Sequence, residues 1–246
     1  FRGAGDSLEI LGTSHHYETT AFSFFMANSI KFNTFQINPG LRLEAFEQER
    51  VDRLAGSTYQ DNTIIVALPG ISFSSNIFGN TVFGGIHRGF TPPSSGALKI
   101  LNFGEIINGS GLDLEAEKSW NKELGFRHKS KLIDYEVAGF HIGIENLVAA
   151  GRGTAFKNLG KVNTRGVETR FDFTFHELNK ILPNIRIAYT YLSTEIIDGI
   201  IKSNIQPVGQ DVSIKGKQLP YSPNHTLNLG SEFIVTSDSV SYTHLT

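Results

Sequence analysis

Apolar and polar residues alternate along most of this chain. In GVETRFDFTFHE, residues 166–177, Val167, Thr169, Phe171, Phe173 and Phe175 fall to one side. Glu168, Arg170, Asp172, Thr174 and His176 fall to the other. SWNKELGFR, residues 119–127, sets Trp120, Lys122, Leu124 and Phe126 against Asn121, Glu123, Gly125 and Arg127. NIRIAYTY sets Ile185, Ile187, Tyr189 and Tyr191 against Arg186, Ala188 and Thr190. TFQINPGLRLEA sets Phe35, Ile37, Leu41 and Leu43 against Gln36, Asn38, Arg42 and Glu44. EVAGFHIGIE sets Ala138, Phe140, Ile142 and Ile144 against Val137, Gly139, His141 and Gly143. A period of two belongs to strands, whose side chains point alternately to two faces. The pattern predicts nine strands, near 18–31, 35–50, 64–76, 80–90, 119–128, 132–147, 163–177, 184–196 and 225–235.

The joints between these strands alternate in length. FNT near 33, FGN near 79, HKSK at 128–131 and LNKILP at 178–183 are short; 51–62, 91–118, 148–162 and 197–224 are long. A meander that keeps its long loops on one edge is the layout of an outer-membrane barrel. A soluble sandwich meets water at both ends and has no general reason to sort its loops. The predicted fold class is therefore all-β, an antiparallel meander of about nine to ten strands from a transmembrane barrel. A passive porin-like barrel and a soluble β-rich binding or adhesion domain remain as alternatives, although no propeller-type repeat is visible. Residues 62–87 carry no Asp, Glu, Lys or Arg, but Pro69, Gly70, Asn76, Gly79 and Asn80 interrupt them. They read as two strands and a turn, not a spanning helix.

On this layout the polar faces line a wet lumen and the apolar faces meet lipid. Arg42, Glu44, Asn121, Glu123, Arg127, Glu168, Arg170, Asp172 and Arg186 are expected in the lumen. Trp120, Phe126, Phe171, Phe173, Phe175, Tyr189 and Tyr191 are the expected membrane-interface aromatics. Lys122 is a mismatch on the apolar face, tolerable if it reaches the headgroups. His141 and His176 read as lumen or loop residues.

Composition narrows the alternatives. The 246 residues are 39% apolar and 19% charged, which is not a disordered composition. A net charge of -2 argues against a general nucleic-acid binder, and no nucleic-acid partner is expected. The absence of cysteine excludes disulfides and thiolate metal sites. Nineteen Phe and 25 Gly beside one Met favour sheets over helices. The sequence begins at Phe1 without a methionine, so the lack of a visible targeting segment carries no information.

Five short pieces, in order, carry a resemblance. LEAEKSWNKELGFR resembles a segment of TonB-dependent outer-membrane receptors that often reads Leu-x-Pro-Glu-x-Ser-x-x-x-Glu-Leu-Gly. Ala116 stands at the proline place, while Glu117, Ser119, Glu123, Leu124 and Gly125 match. INPGLRLE, GGIHRGFTPPS, NTRGVETRF and LPYSPNHTLNLG are similar to four further segments of that family. The flavour is that of ferric-dicitrate-type siderophore receptors. The resemblance implies a barrel of about 22 strands, closed by a plug that is not seen here. It implies active import of a ferric chelate such as ferric citrate across the bacterial outer membrane. The partners it implies are outer-membrane lipid and the TonB–ExbB–ExbD complex, the latter acting through an N-terminal region. Residues 1–239 then read as part of the receptor barrel. The tail VSYTHLT resembles translated adapter read-through, so 240–246 are expected to be foreign.

No enzyme constellation is present. GRG at 151–153 and RGAG at 2–5 lack the strand–glycine–helix context of a phosphate loop. His15 and His16 are adjacent and would point to opposite faces of a strand, which is poor metal geometry. No metal site and no covalently bound cofactor are expected; the ferric chelate is cargo. Guanidinium groups suit anionic chelates because they pair bidentately with carboxylates. Arg88 and Arg152, near the outer strand ends, are the expected ligand contacts, with Phe103 and Phe156 as loop aromatics. The lumen arginines have a blander reading, since Glu44, Glu123, Glu168 and Glu232 can pair with them.

Overall fold

The computed structural model describes residues 14–54, 56–60, 64–92, 117–149, 157–158, 160–202 and 210–234. In chain order the strands are β1 (His15–Ala27), β2 (Ile30–Phe32), β3 (Phe35–Asp52), β4 (Ser57–Gln60) and β5 (Ile64–Ile77). β6 (Asn80–Thr91), β7 (Glu117–His128), β8 (Ile133–Glu145), β9 (Val148–Ala149) and β10 (Lys157–Asn158) follow. β11 (Lys161–Phe173) leads through a 3-10 turn (Phe175–Glu177) to β12 (Asn184–Asp198). The last three are β13 (Ile200–Lys202), β14 (Asp211–Ser213) and β15 (His225–Glu232).

One antiparallel sheet runs β1-β3-β5-β6-β7-β8-β11-β12-β15, with the short β2 and β4 paired to β3. Its nine long strands are the nine that the alternation predicts. β9 with β10, and β13 with β14, form small hairpins inside the longer connections. Few described residues are fully covered: Phe46, Val66, Ala138, Val162 and Ile196 are the buried apolar ones. Large apolar side chains stand in the open instead, among them Phe22 at 75%, Ile65 at 74% and Leu229 at 70% exposure. A soluble sandwich would bury such side chains between two sheets; a barrel turns them to lipid.

All four short joints lie on one edge of the sheet. Asn33 takes a φ of 53° between β2 and β3. Phe78 and Gly79, both at positive φ (49° and 78°), make the two-residue turn from β5 to β6. Between β7 and β8, the Ser130 amide donates to Asp134 Oδ1 (2.9 Å) and its hydroxyl to the Ile133 carbonyl (2.8 Å). Between β11 and β12 the chain leaves the sheet after Phe173, so Phe175 lies in the 3-10 turn and not on a strand.

Two prolines interrupt the ladders. Asn28 donates to the Pro39 carbonyl at 3.0 Å, but Pro39 has no N–H to return the bond, and the chain of β1 and β2 breaks there. The ladder between β5 and β6 runs from Ile77↔Asn80 to Gly70↔His87 and ends beside Pro69, although both strands continue. Near this gap Phe46 and Val66 form a small core with Ile64, Leu68 and Phe90, the Phe46 and Phe90 rings lying 5.2 Å apart.

Candidate substrate-facing surface

Register fixes which side chains share a face. Glu44 lies opposite Ser23 and Val66; Asn121, Glu123 and Arg127 lie opposite His87, Gly85 and Thr81. Arg127 also faces Glu136, Arg170 faces Glu136 and Ala188, and Asp172 faces Arg186. Stepping across the pairs puts Arg42, Glu44, Asn121, Glu123, Arg127, Glu168, Arg170, Asp172 and Arg186 on one face.

Three of the four arginines there are held by carboxylates. Arg42 pairs with Glu44 and also donates to the Ser23 hydroxyl (3.3 Å), which donates to Glu44 Oε2 (2.6 Å). Asp172 sits between Arg170 Nε (3.2 Å) and Arg186 Nε (2.6 Å). Arg127 differs: its guanidinium lies over the Phe83 ring, 5.4 Å from the centroid, with no carboxylate in ion-pair range among the described residues. It borders an open groove of about 620 Å³ with Arg42, His87 and Glu123. Gly40, Gly70 and Gly85 lie along the groove, so no side chains fill it there. Asn38 Nδ2 donates to Ser72 Oγ (3.2 Å) beside it. His87 is a groove residue that the alternation alone did not single out, because GGIHRG shows no clear apolar partner set.

β8 overturns one expectation. Its apolar residues Ala138, Phe140, Ile142 and Ile144 lie opposite Gly125, Glu123, Asn121 and Ser119, on the same face as the arginines. His141, expected on that face, lies on the other, opposite Lys122 and Arg165. Glycines explain the inversion. The Phe140 ring covers Gly166, where an added Cβ would come within 2.6 Å of Cζ. The Phe83 ring covers Gly125 in the same way, again at 2.6 Å. His176, in the 3-10 turn, is buried, and its Nδ1 has no hydrogen-bond partner.

The reverse face carries Trp120, Phe126, Phe171, Phe173, Tyr189 and Tyr191. Near the short-turn edge His128, Tyr135, Phe171, Phe173 and Phe175 form a continuous row, with successive centroids 5.4, 6.1, 6.4 and 5.5 Å apart. Toward the other edge Tyr189 and Tyr191 flank His225, the Tyr189 hydroxyl lying 2.9 Å from its Nδ1. Arg88, expected near a ligand, belongs to this face: it pairs with Trp120, and its guanidinium lies 5.8 Å from the indole centroid. The other expected ligand contacts, Phe103, Arg152 and Phe156, and the tail 240–246 lie outside the described residues. Among the described residues no group of three or more His, Asp or Glu converges as a metal site.

A single meander with polar and apolar faces and with its short turns on one edge is part of the wall of a transmembrane β-barrel. The chain belongs to the TonB-dependent receptor-like β-barrel family, whose sequence model matches residues 2–244. This is a family of outer-membrane receptors and transporters, not of enzymes. Among solved structures, the chain is similar to the ferric citrate transporter FecA (19% identity, TM-score 0.64, 89% of this chain and 31% of that one). It is similar to the ferric-catecholate import receptor Fiu from K12 E. coli (19%, 0.65, 92% and 34%). A third is the ferric yersiniabactin uptake receptor FyuA from Yersinia pestis (18%, 0.63, 91% and 33%). The chain thus spans about a third of the length of these receptors.

Proposed function

We propose that this segment is part of the barrel of an active importer of a ferric chelate, ferric citrate or a siderophore, with its arginine-bearing face toward the lumen. The chelate binds on the external side and enters after a plug rearrangement driven by TonB with ExbB and ExbD. The observation that carries this reading is the family match over residues 2–244, together with three similar structures named for ferric-chelate transport or uptake. Within the segment, Arg127 is the arginine that Phe83 and not a carboxylate holds; it lies beside the short-turn edge, where it meets an anionic cargo on its way out rather than at the external site. Stacked on the ring, the guanidinium keeps its edge donors free for a carboxylate. No bond of the cargo is made or broken by these residues.

The test is uptake of radiolabelled iron by cells that depend on the complete protein. Energised uptake of ferric citrate or of a siderophore, lost on deletion of TonB or collapse of the proton gradient, is the expected result. Uptake that persists without the gradient would make the protein a passive pore.

A further inference from the structure

The groove beside Arg127 extends far beyond that residue. It runs up the arginine face along β3, β5 and β6. Register carries Arg127 across Thr81 and Asn76 to the level of Thr34, whose carbonyl accepts from the Asn76 amide at 3.2 Å. Arg42, at the other end of the groove, lies eight residues further along β3 than Thr34, about 26 Å at the rise of a strand. The hydrocarbon core of a bilayer is about 30 Å thick. An aromatic ring accompanies the guanidinium at each end: Phe25 is the register partner of Arg42, and Phe83 lies under Arg127. Between the ends stand His87 and Glu123, both exposed and without an ion pair among the described residues.

Two of the three glycines along the groove are needed by the wall itself. A Cβ on Gly70 would lie 3.0 Å from His87 Cβ, and one on Gly85 would lie 3.0 Å from the Ile71 carbonyl oxygen. Gly40 is different. A glycine inside a strand weakens it, and marks a bulge, a bend or a place where a ligand or another stretch of backbone comes close. Gly40 has no positive φ, and the register of β3 with β5 runs through it without a shift. A Cβ there would meet nothing closer than the Met26 carbonyl oxygen at 3.7 Å. The wall does not ask for a bare backbone at this point; an open passage does.

We infer that this groove is the stretch of wall along which the anionic chelate passes, and that the width kept at Gly40 limits the size of cargo the protein imports, separately from selection at the external site. The groove, about 620 Å³, has the volume of a small-molecule site. Its charges suit passage rather than storage. Glu44 already pairs with Arg42, Arg127 rests on a ring, and Glu123 opposes an anion between them. Transit needs contacts favourable enough to enter and weak enough to leave. The inference rests on the import reading and on the lumen orientation of the arginine face.

Radiolabelled ferric citrate and a radiolabelled ferric catecholate are offered to cells that depend on the complete protein. Surface binding without energy is measured apart from energised uptake. The wild type is expected to bind and import at least one of the two. Gly40→Leu is expected to bind that chelate as the wild type does and to lower its maximal uptake rate about tenfold or more. Gly40→Ala, which the wall accommodates, is expected to stay within about twofold of the wild type. Asn228→Leu adds bulk to the same face away from the groove and leaves uptake unchanged. Uptake by Gly40→Leu at the wild-type rate, or an equal loss in Asn228→Leu, overturns the inference. So does loss of surface binding in both Gly40 variants, since the position would then serve the fold or the external site. Entry of vancomycin into Gly40→Leu cells without the proton gradient overturns it too, because a leak would mean that Gly40 seats another part of the protein and not the passing cargo. A wild type that imports neither chelate refutes the import reading itself, and this inference with it.

Discussion

β7 and β8 are neighbours of similar length and equally regular alternation, yet they turn their apolar sides in opposite directions. β7 sends Trp120, Leu124 and Phe126 to the face that carries the aromatic row, and Asn121, Glu123 and Arg127 to the arginine face. β8 sends Phe140, Ile142 and Ile144 to the arginine face and leaves Gly139, His141 and Gly143 on the other. Alternation says that a strand has two unlike faces. It does not say which face goes where. Pairing decides that, and here glycines set the terms. Phe140 has a place on the arginine face because Gly166 offers a bare backbone for its ring. On the other face Gly139 and Gly143 present no side chain between β7 and β11.

The comparison can be broken most directly by charge. Leu124→Arg places a cation on the lipid side of β7 and is expected to cost about 2–4 kcal/mol near mid-bilayer. Ile142→Arg, the same kind of change on the apolar side of β8, is expected to cost about 1 kcal/mol or less. Reversible guanidinium unfolding of the complete protein in phospholipid vesicles measures both, and equal costs would return β8 to the lipid side. The glycines give the next contrast. Gly125→Ala puts a methyl 2.6 Å from Phe83 Cζ and 2.8 Å from the Val137 carbonyl oxygen. Overpacking of this kind is expected to cost about 1–3 kcal/mol. Gly139→Ala meets nothing closer than 3.9 Å and is expected to change stability by less than about 0.5 kcal/mol.

A smaller effect is expected where the aromatic row crosses from β8 to β11. Phe171→Leu removes ring contacts to Tyr135 and Phe173. A loss of about 0.5–1.5 kcal/mol is expected in the same unfolding experiment. The smallest effect is on the arginine face. Asp172→Asn leaves Arg170 and Arg186 close together without their shared carboxylate, so the unfolding midpoint is expected to fall at low salt. The difference should shrink as salt rises, because these side chains are open to water and screened. A salt-independent loss would point to packing instead.

The existence and order of the nine long strands were legible in the sequence, because each carries a full run of alternation and the short joints contain turn residues. FGN near 79 reads directly as the turn it forms. Boundaries were less legible. GVETRFDFTFHE alternates through Phe175, but the ladder with β12 ends at Phe173, and Phe175 keeps its stacking on Phe173 from within a 3-10 turn. The hairpins β9–β10 and β13–β14 are two or three residues per strand, too short to show a period. Of the site, the charges on the arginine face were legible as a set, while their partners were not. Asp172 shared by two arginines, and Arg127 held by Phe83, depend on cross-strand neighbours that alternation along one strand cannot reveal. Arg88 was placed by its distance from the loop, whereas its parity within β6 sets it beside Trp120.

The gap beside Pro69 has a consequence for how quickly this wall gives up its amide protons. A closed barrel exchanges slowly because every strand is bonded on both sides. Here β6 continues four residues past His87 with β7 as its only ladder partner among the described residues. Beyond His87 the side of β6 toward β5 has no ladder pairing among the described residues, and the Phe46–Phe90 ring contact lies nearby. Opening that contact requires no neighbouring strand to unzip. Deuterium should therefore enter this stretch by local opening, well before it enters the same strand between Asn80 and His87.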